Sequence, residues 1–177
     1  MPVDEYECCG KNIWISKDVK LPNNATILGP TIMGHSTEIR TGAFIRGSVI
    51  IGNECVIGNS CEIKNSIIFD CVQIPHFNYI GDSILGYHSH TGAGVITSNL
   101  KSDKSFVKVY CDSKIIDTGL KKFGAMIGDY VEVGCNSVLN PGTIIGKNTS
   151  IYPLSSVRGT VPSNSIFKSE DNIVKKL

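Results

Sequence analysis

The chain has 177 residues and a formal net charge of +1, with 41% hydrophobic and 19% charged residues. That length suffices for one domain with its own core, and the near-neutral charge lacks both the basic footprint of a nucleic-acid binder and an acidic tail. No apolar run approaches the ~20 residues of a membrane span, and the start, Met1-Pro2-Val3-Asp4-Glu5, has no basic stretch leading into an apolar one; both features predict a cytoplasmic protein without a membrane partner.

Residues 1–14 read as a lead-in. From there large apolar residues recur every six positions: Ile15, Leu21, Ile27, Met33, Ile39, Ile45, Ile51, Ile57, Ile63 and Phe69. A period of six matches neither the 3.6 of a helix nor the alternation of a half-buried strand. It is the signal of a hexapeptide β-helix, in which each flat face contributes one inward-pointing anchor. Two residues before the anchors, Val19, Ala25, Thr31, Thr37, Ala43, Val49, Cys55, Cys61 and Ile67 form a second inward set, mostly small or β-branched. Gly34, Gly52 and Gly58 follow anchors where the chain turns a corner. The seven cysteines are an odd number. Cys55 and Cys61 sit on inward positions, where a thiol acts as a compact hydrophobe, and Cys8-Cys9 has no second pair at zinc-site spacing, so reduced thiols are predicted.

Regularity breaks after Phe69. In Ile74-Pro75-His76-Phe77-Asn78-Tyr79-Ile80-Gly81, proline takes the place of the anchor expected at 75, and the next turns, Ile80-Gly81, Leu85-Gly86 and Thr91-Gly92, are spaced five and then six. Irregularity inside a consistent scaffold marks where function is expected. Residues 101–124 lose the period and carry Lys101, Lys104, Lys108, Lys114, Lys121 and Lys122, which predicts a loop or hairpin pushed out from the coil. The period resumes with Ile127, Val133, Leu139, Ile145, Ile151 and Val157, partnered by Ala125, Val131, Ser137, Thr143, Thr149 and Ser155. From Arg158 to Leu177 the chain reads as a tail with a turn at Val161-Pro162. The predicted fold is all-β: a parallel β-helix over 15–168, with 169–177 as the C-terminal tail.

Arg46 and Lys64 each follow an anchor and are 18 residues apart. If three hexapeptides close one triangular turn, as the hexapeptide family implies, they stand at one corner on adjacent turns about 4.8 Å apart. Stacked like charges repel unless something negative lies between them. Either an anion, most naturally a phosphate, bridges the pair, or both side chains fan outward into water.

Three segments carry a resemblance: Glu62-Ile63-Lys64, then Pro75-His76-Phe77-Asn78-Tyr79-Ile80-Gly81-Asp82, then Gly92-Ala93-Gly94-Val95-Ile96-Thr97-Ser98-Asn99. Together with Gly119 to Ala125 and Asn140-Pro141-Gly142, they resemble the C-terminal, left-handed β-helix acetyltransferase domain of sugar-1-phosphate nucleotidylyltransferase/glucosamine-1-phosphate acetyltransferase bifunctional enzymes. The likeness spans roughly residues 15–168. It implies a triangular left-handed solenoid, a homotrimer with its active site shared between neighbours, and acetyl-coenzyme A as acetyl donor. It also implies His76 as general base, Arg46 and Lys64 as sugar-phosphate contacts, and Tyr79, His90 and Asn99 on the acceptor. Ala93, Cys135, Pro153 and Lys168 fall on the implied cofactor groove. His90 and Leu100 replace the asparagine and tyrosine of the bacterial enzymes, and Cys135 replaces a serine.

Such a site transfers an acetyl group from a thioester to an amine. A sugar ammonium is not a nucleophile, so a base must take its proton, and imidazole suits that task near neutral pH. A backbone N–H in the Gly92-Ala93-Gly94 turn serves the oxyanion. The acetyl transfer requires the basic shelf and His76 to share one crevice. The segment that would perform nucleotidyl transfer, with its glycine-rich phosphate loop, is not found here; the chain reads as a free-standing acyltransferase or as one half of a split enzyme working with a separate nucleotidyltransferase subunit. Two other readings stand beside it. One is a non-catalytic, trimerising or sugar-nucleotide-binding module. The other is a zinc site built from His76 and the His88-Ser89-His90 pair. His35 reads as an exposed corner residue, and no metal is predicted for the leading reading.

Overall fold

The computed structural model describes residues 4–111 and 114–176; residues 1–3 of the lead-in, 112–113 of the insertion and 177 of the tail lie outside them. The chain winds about eight turns of a parallel solenoid with three flat faces. The first face stacks strands from Ile13–Ser16 and Thr31–Met33 through to Thr160–Val161. The second runs from Glu38–Ile39 to Ser165–Ser169, and the third from Thr26–Ile27 to Ser156–Val157. Among the described residues there is no helix, hence none long and apolar enough to cross a membrane.

The six-residue period sets this geometry. Anchors Met33, Ile39, Ile45, Ile51, Ile57 and Ile63 are 0–3% exposed, and Ile127 through Val157 are equally buried, filling the bore of the prism. Each fully buried isoleucine contributes about 1.5–3 kcal/mol. Small partners such as Thr37, Ala43, Cys55 and Ser137 fill the corners between them. Backbone groups pair from turn to turn, as in Arg46 N–H to Ile63 C=O at 2.8 Å and Gly134 N–H to Ile151 C=O at 2.8 Å, so the ladder leaves few buried donors unpaired. From the second turn on, the edge between the first and second faces carries a left-handed residue, and non-glycine residues accept it at Ser36, Glu54, Cys71, His88, Tyr130, Asn148 and Asn164.

Two predicted anchors point the other way. Phe69 is 51% exposed and Leu21 43%, while Ile68 is buried and Ile67, predicted inward, is 40% exposed. The cause is a shortened corner. Strands pair at an offset of 18 residues up to Ile45 with Ile63, at 17 from Ile51 with Ile68 to Ile80 with Thr97, and at 18 again from Met126 with Ile144. Three residues, Arg46-Gly47-Ser48, turn the corner from third to first face in one turn; two, Lys64-Asn65, suffice in the next, with Asn65 at φ +46°. Because side chains alternate, a slip of one residue exchanges inside for outside. The anchor near 75 is accordingly Ile74 and not the position of Pro75. Leu21 is exposed for a different reason: the first turn has only an isolated bridge, Lys20 to Glu38, on the second face.

The predicted insertion is a hairpin, Lys108–Cys111 with Lys114–Asp117, and it lies on the solenoid instead of standing free. Val107 and Val109 are buried, Thr160 Oγ1 donates to the Tyr110 carbonyl, and Gly142 N–H donates to Gly124 C=O. The stretch read as a tail from Arg158 is a further turn with Phe167 in the core, closed by an antiparallel hairpin to Asn172–Lys175. Tyr6–Gly10 covers the other end in the same way. These hairpins cover the open sheet ends. On the outside of the first face, Trp14, Ile32, Ile50, Ile67, Ile84, Met126 and Ile144 stand in register as an apolar row along a groove of about 620 Å³.

Candidate functional site

The shortened corners build a polar cluster at the edge between third and first faces. Lys64 ends a third-face strand, and Gly81-Asp82 turns the same corner one turn on. Lys64 Nζ lies 3.2 Å from Asp82 Oδ2, and Asn65 Nδ2 donates to Asp82 Oδ1 at 2.6 Å. Asn99 Nδ2 donates to Asp82 Oδ2 and, at 3.2 Å, to the Tyr79 hydroxyl. Gly81 leaves room for these side chains: a Cβ there would fall 2.6 Å from the Tyr79 hydroxyl, so Tyr79 and Asn99 would have to shift. Burial alone would push the Asp82 carboxyl up, but hydrogen bonds from Asn65, Asn99 and Lys64 outweigh it and hold the group below its ordinary range.

Sequence reasoning placed Arg46 and Lys64 one above the other, and the pairing of Ile45 with Ile63 does so. Arg46 Nη1 binds Glu62 Oε1 at 2.6 Å and Lys64 binds Asp82, so each cation already has a carboxylate from this chain.

His76 ends the second-face strand Gln73–His76 and is exposed at the edge between second and third faces. The turn-to-turn offsets align it with Asn59 below. Above it Gly94 N–H donates to His76 C=O at 3.1 Å, Asn136 N–H to Ala93 C=O at 2.8 Å, and Leu154 N–H to Cys135 C=O at 2.9 Å. Thus His76, Ala93, Cys135 and Pro153 follow one edge upward. Lys168 continues it, its ammonium 5.9 Å from the centre of the Tyr152 ring. In the Gly92-Ala93-Gly94 turn both glycine N–H groups are engaged, to Val133 and His76, whereas among the described residues that of Ala93 has no acceptor.

A single chain therefore does not bring the imidazole and the basic pair into one crevice. It gathers Lys64, Tyr79 and Asn99 at one edge of the third face, and His76 with Ala93, Cys135 and Pro153 at the opposite edge. His90 lies on the outer second face, its Nδ1 2.7 Å from Glu132 Oε2. His88 stacks on Tyr130 at the first–second edge, so the histidine pair does not meet His76. No group of three or more His, Cys, Asp and Glu that could hold a metal ion occurs among the described residues. His35 is more than an exposed corner: its Nδ1 is 2.8 Å from Ser16 Oγ and its Nε2 3.2 Å from Glu5. The cluster members that sequence reasoning gave no role are Asp82, Asn65 and Glu62. The five-residue gap between apolar positions at Ile63 and Ile68 is the signal that locates the first two.

The family model described as the GMPPB C-terminal domain matches residues 27–111. The chain is 36% identical, over 164 residues, to a bifunctional sugar-1-phosphate nucleotidylyltransferase/acetyltransferase of Sulfurisphaera tokodaii, covering 82% of this chain and 41% of that protein. It is 34% identical to the bifunctional protein GlmU of Methanococcus aeolicus, covering 93% of this chain and 44% of the relative. The chain thus spans less than half the length of these curated relatives. Among solved structures, a hexapeptide transferase family protein from Anaplasma phagocytophilum superposes with a TM-score of 0.61 at 15% identity, over 92% of this chain and 78% of that one; at that identity the likeness concerns the fold.

Proposed function

We propose that this chain, a parallel three-faced solenoid that is 36% identical over 82% of its length to a bifunctional sugar-1-phosphate nucleotidylyltransferase/acetyltransferase, is a cytoplasmic N-acetyltransferase using acetyl-coenzyme A and an amino-sugar 1-phosphate. The observation that carries this reading is the straight edge that aligns His76 with Ala93, Cys135 and Pro153. A linear thioester donor laid along that edge brings its acetyl group to the one exposed imidazole on it.

In the proposed reaction the neutral sugar amine attacks the thioester carbonyl, and His76 accepts the proton that the nitrogen sheds as the C–N bond forms. The Ala93 N–H, unengaged within the chain, donates to the oxyanion. Collapse of the tetrahedral intermediate forms the amide and breaks the C–S bond, and the proton held by His76 passes to the departing thiolate. The sugar is read by the Lys64, Tyr79, Asn99 and Asp82 cluster, with Arg46 beside it and His90 on the adjoining face. Because these groups occupy opposite edges of one face, a neighbouring copy supplies the second half. Three chains with their third faces turned to a common axis bring the His76 edge of each to the Lys64 edge of the next.

A second reading keeps the fold without catalysis: a trimerising, sugar-nucleotide-binding module. The pairing of both Arg46 and Lys64 with internal carboxylates favours it. The test is thiol release from acetyl-coenzyme A with glucosamine 1-phosphate and galactosamine 1-phosphate, for wild type and His76→Ala. Release that falls by about 10²–10⁴-fold in the variant supports the enzyme. Absence of release with every amino sugar supports the module.

A further inference from the structure

The edge that carries His76 continues below it into a second groove. Below His76, on the first three turns, an open groove of about 610 Å³ is lined by Lys20, Glu38, Arg40, Thr41 and Asn59. The strand pairings put it in line with the imidazole. His76 stands directly over Asn59, and Ile39 pairs with Ile57, which sets Thr41 beneath Asn59 and Arg40 beneath Gly58. Arg40 is thus two turns, about 10 Å of rise, below His76.

The charges in this groove are less committed than those at the opposite edge. Arg40 gives only its Nε to Glu38 Oε1, at 2.7 Å, and among the described residues its two terminal nitrogens have no partner. Arg46, in contrast, gives a terminal nitrogen to Glu62. The Lys20 ammonium has no carboxylate within ion-pair distance among the described residues, so Glu38 offsets only one of the groove's two cations. A guanidinium with a free planar face is suited to two parallel hydrogen bonds with a phosphate.

We propose that the Lys20–Arg40–Asn59 groove is an anion subsite that takes a phosphate or diphosphate of the acceptor, so that the acceptor approaches His76 from the N-terminal turns while the donor lies along the C-terminal ones. The placement rests on the reading of His76 as the acetyl-transfer centre. On this edge the donor track begins at Ala93, one turn above His76, and the groove begins at Asn59, one turn below. The reacting amine lies at the junction, and the anion is held one sugar ring or more away. Arg40 and Lys20 then determine specificity without touching the reacting atoms.

Binding and kinetics test the subsite separately. Calorimetric titration of inorganic pyrophosphate, and of inorganic phosphate, into the wild-type protein is compared with Arg40→Ala, Arg40→Lys and the remote Lys147→Ala. Pyrophosphate affinity is expected to fall by about tenfold or more in Arg40→Ala, to recover in part in Arg40→Lys, and to persist in Lys147→Ala. No binding to wild type, or equal losses in Arg40→Ala and Lys147→Ala, overturns the subsite. In acetyl transfer, Arg40→Ala is expected to raise the acceptor KM for an amino-sugar phosphate with kcat unchanged, and to leave that for the unphosphorylated amino sugar alone. A protein that acetylates no amino sugar refutes the enzymatic reading while the pyrophosphate titration still decides the groove. If phosphorylated and unphosphorylated acceptors respond alike, the groove does not hold the acceptor's anion.

Discussion

Lys64 Nζ and Asp82 Oδ2 meet at 3.2 Å across adjacent turns because both corners there use two residues instead of three. Asp82 is the hub: Lys64, Asn65 and Asn99 all converge on it. Its carboxyl is held below the ordinary value of 3.8 by these donors, burial acting in the opposite sense. A depressed folded-state value means that the ionised form is favoured by folding, so the stabilisation is complete above about pH 4 and is lost as pH falls through the lower folded value. Asp82→Asn is expected to lower stability by about 1–3 kcal/mol at neutral pH, a deficit that closes on acidification below that range. Thermal unfolding of both proteins from pH 7 to pH 3 checks it; a deficit independent of pH refutes the assignment.

The separation of His76 from the Lys64 cluster has a consequence for mixed oligomers. If neighbouring chains complete each site, His76→Ala and Lys64→Ala chains are each inactive alone, yet mixed trimers regain activity wherever an intact His76 edge meets an intact Lys64 edge. Co-refolding the two variants and measuring acetyl transfer is the test. Activity no higher than the sum of the separate variants places both groups in one chain's site.

Cys135 offers a test of the proposed donor groove. It is exposed on the His76 edge, as Cys8 is exposed far from it, while burial pushes the Cys55 thiol up to about 11 and Cys61 in the same direction. Alkylation at pH 8 followed by peptide mass spectrometry is expected to label Cys8 and Cys135 and to spare Cys55 and Cys61. Coenzyme A at saturation is expected to slow labelling of Cys135 by about tenfold while Cys8 is unaffected. Equal rates with and without coenzyme A would remove Cys135 from the proposed groove.

Corner glycines differ in what they tolerate. A Cβ on Gly58 would stand 1.5 Å from the Pro75 carbonyl oxygen, beneath the irregular segment that presents His76. Gly58→Ala is therefore expected to destabilise the fold by about 3 kcal/mol or more, since backbone must move. Gly119, at φ +64° with open space around it, is expected to lose only about 1 kcal/mol on the same change. Chemical denaturation of the two variants separates steric from conformational strain.

Much of the solenoid was legible before any coordinates. A six-residue period is a local rule, and each anchor from Met33 to Ile63 obeys it because every face repeats the same inward geometry. The break was visible but its direction was not. In Ile67-Ile68-Phe69 all three residues are apolar, so composition cannot say which one turns inward. That is decided by Ser66 N–H donating to Ser48 and Asn65 N–H to Gly47, contacts with the turn below.

The six-residue period by itself determined the β-helix and the stacked Arg46–Lys64 pair, and the family resemblance added His76, Tyr79 and Asn99. Only the wound structure decided which edge each occupies and which charge answers which. Partners such as Arg46 and Glu62, or Lys64 and Asp82, are 16 and 18 residues apart. The residue count of the intervening turn governs whether such side chains meet, and one corner residue more or fewer turns a contact into a miss.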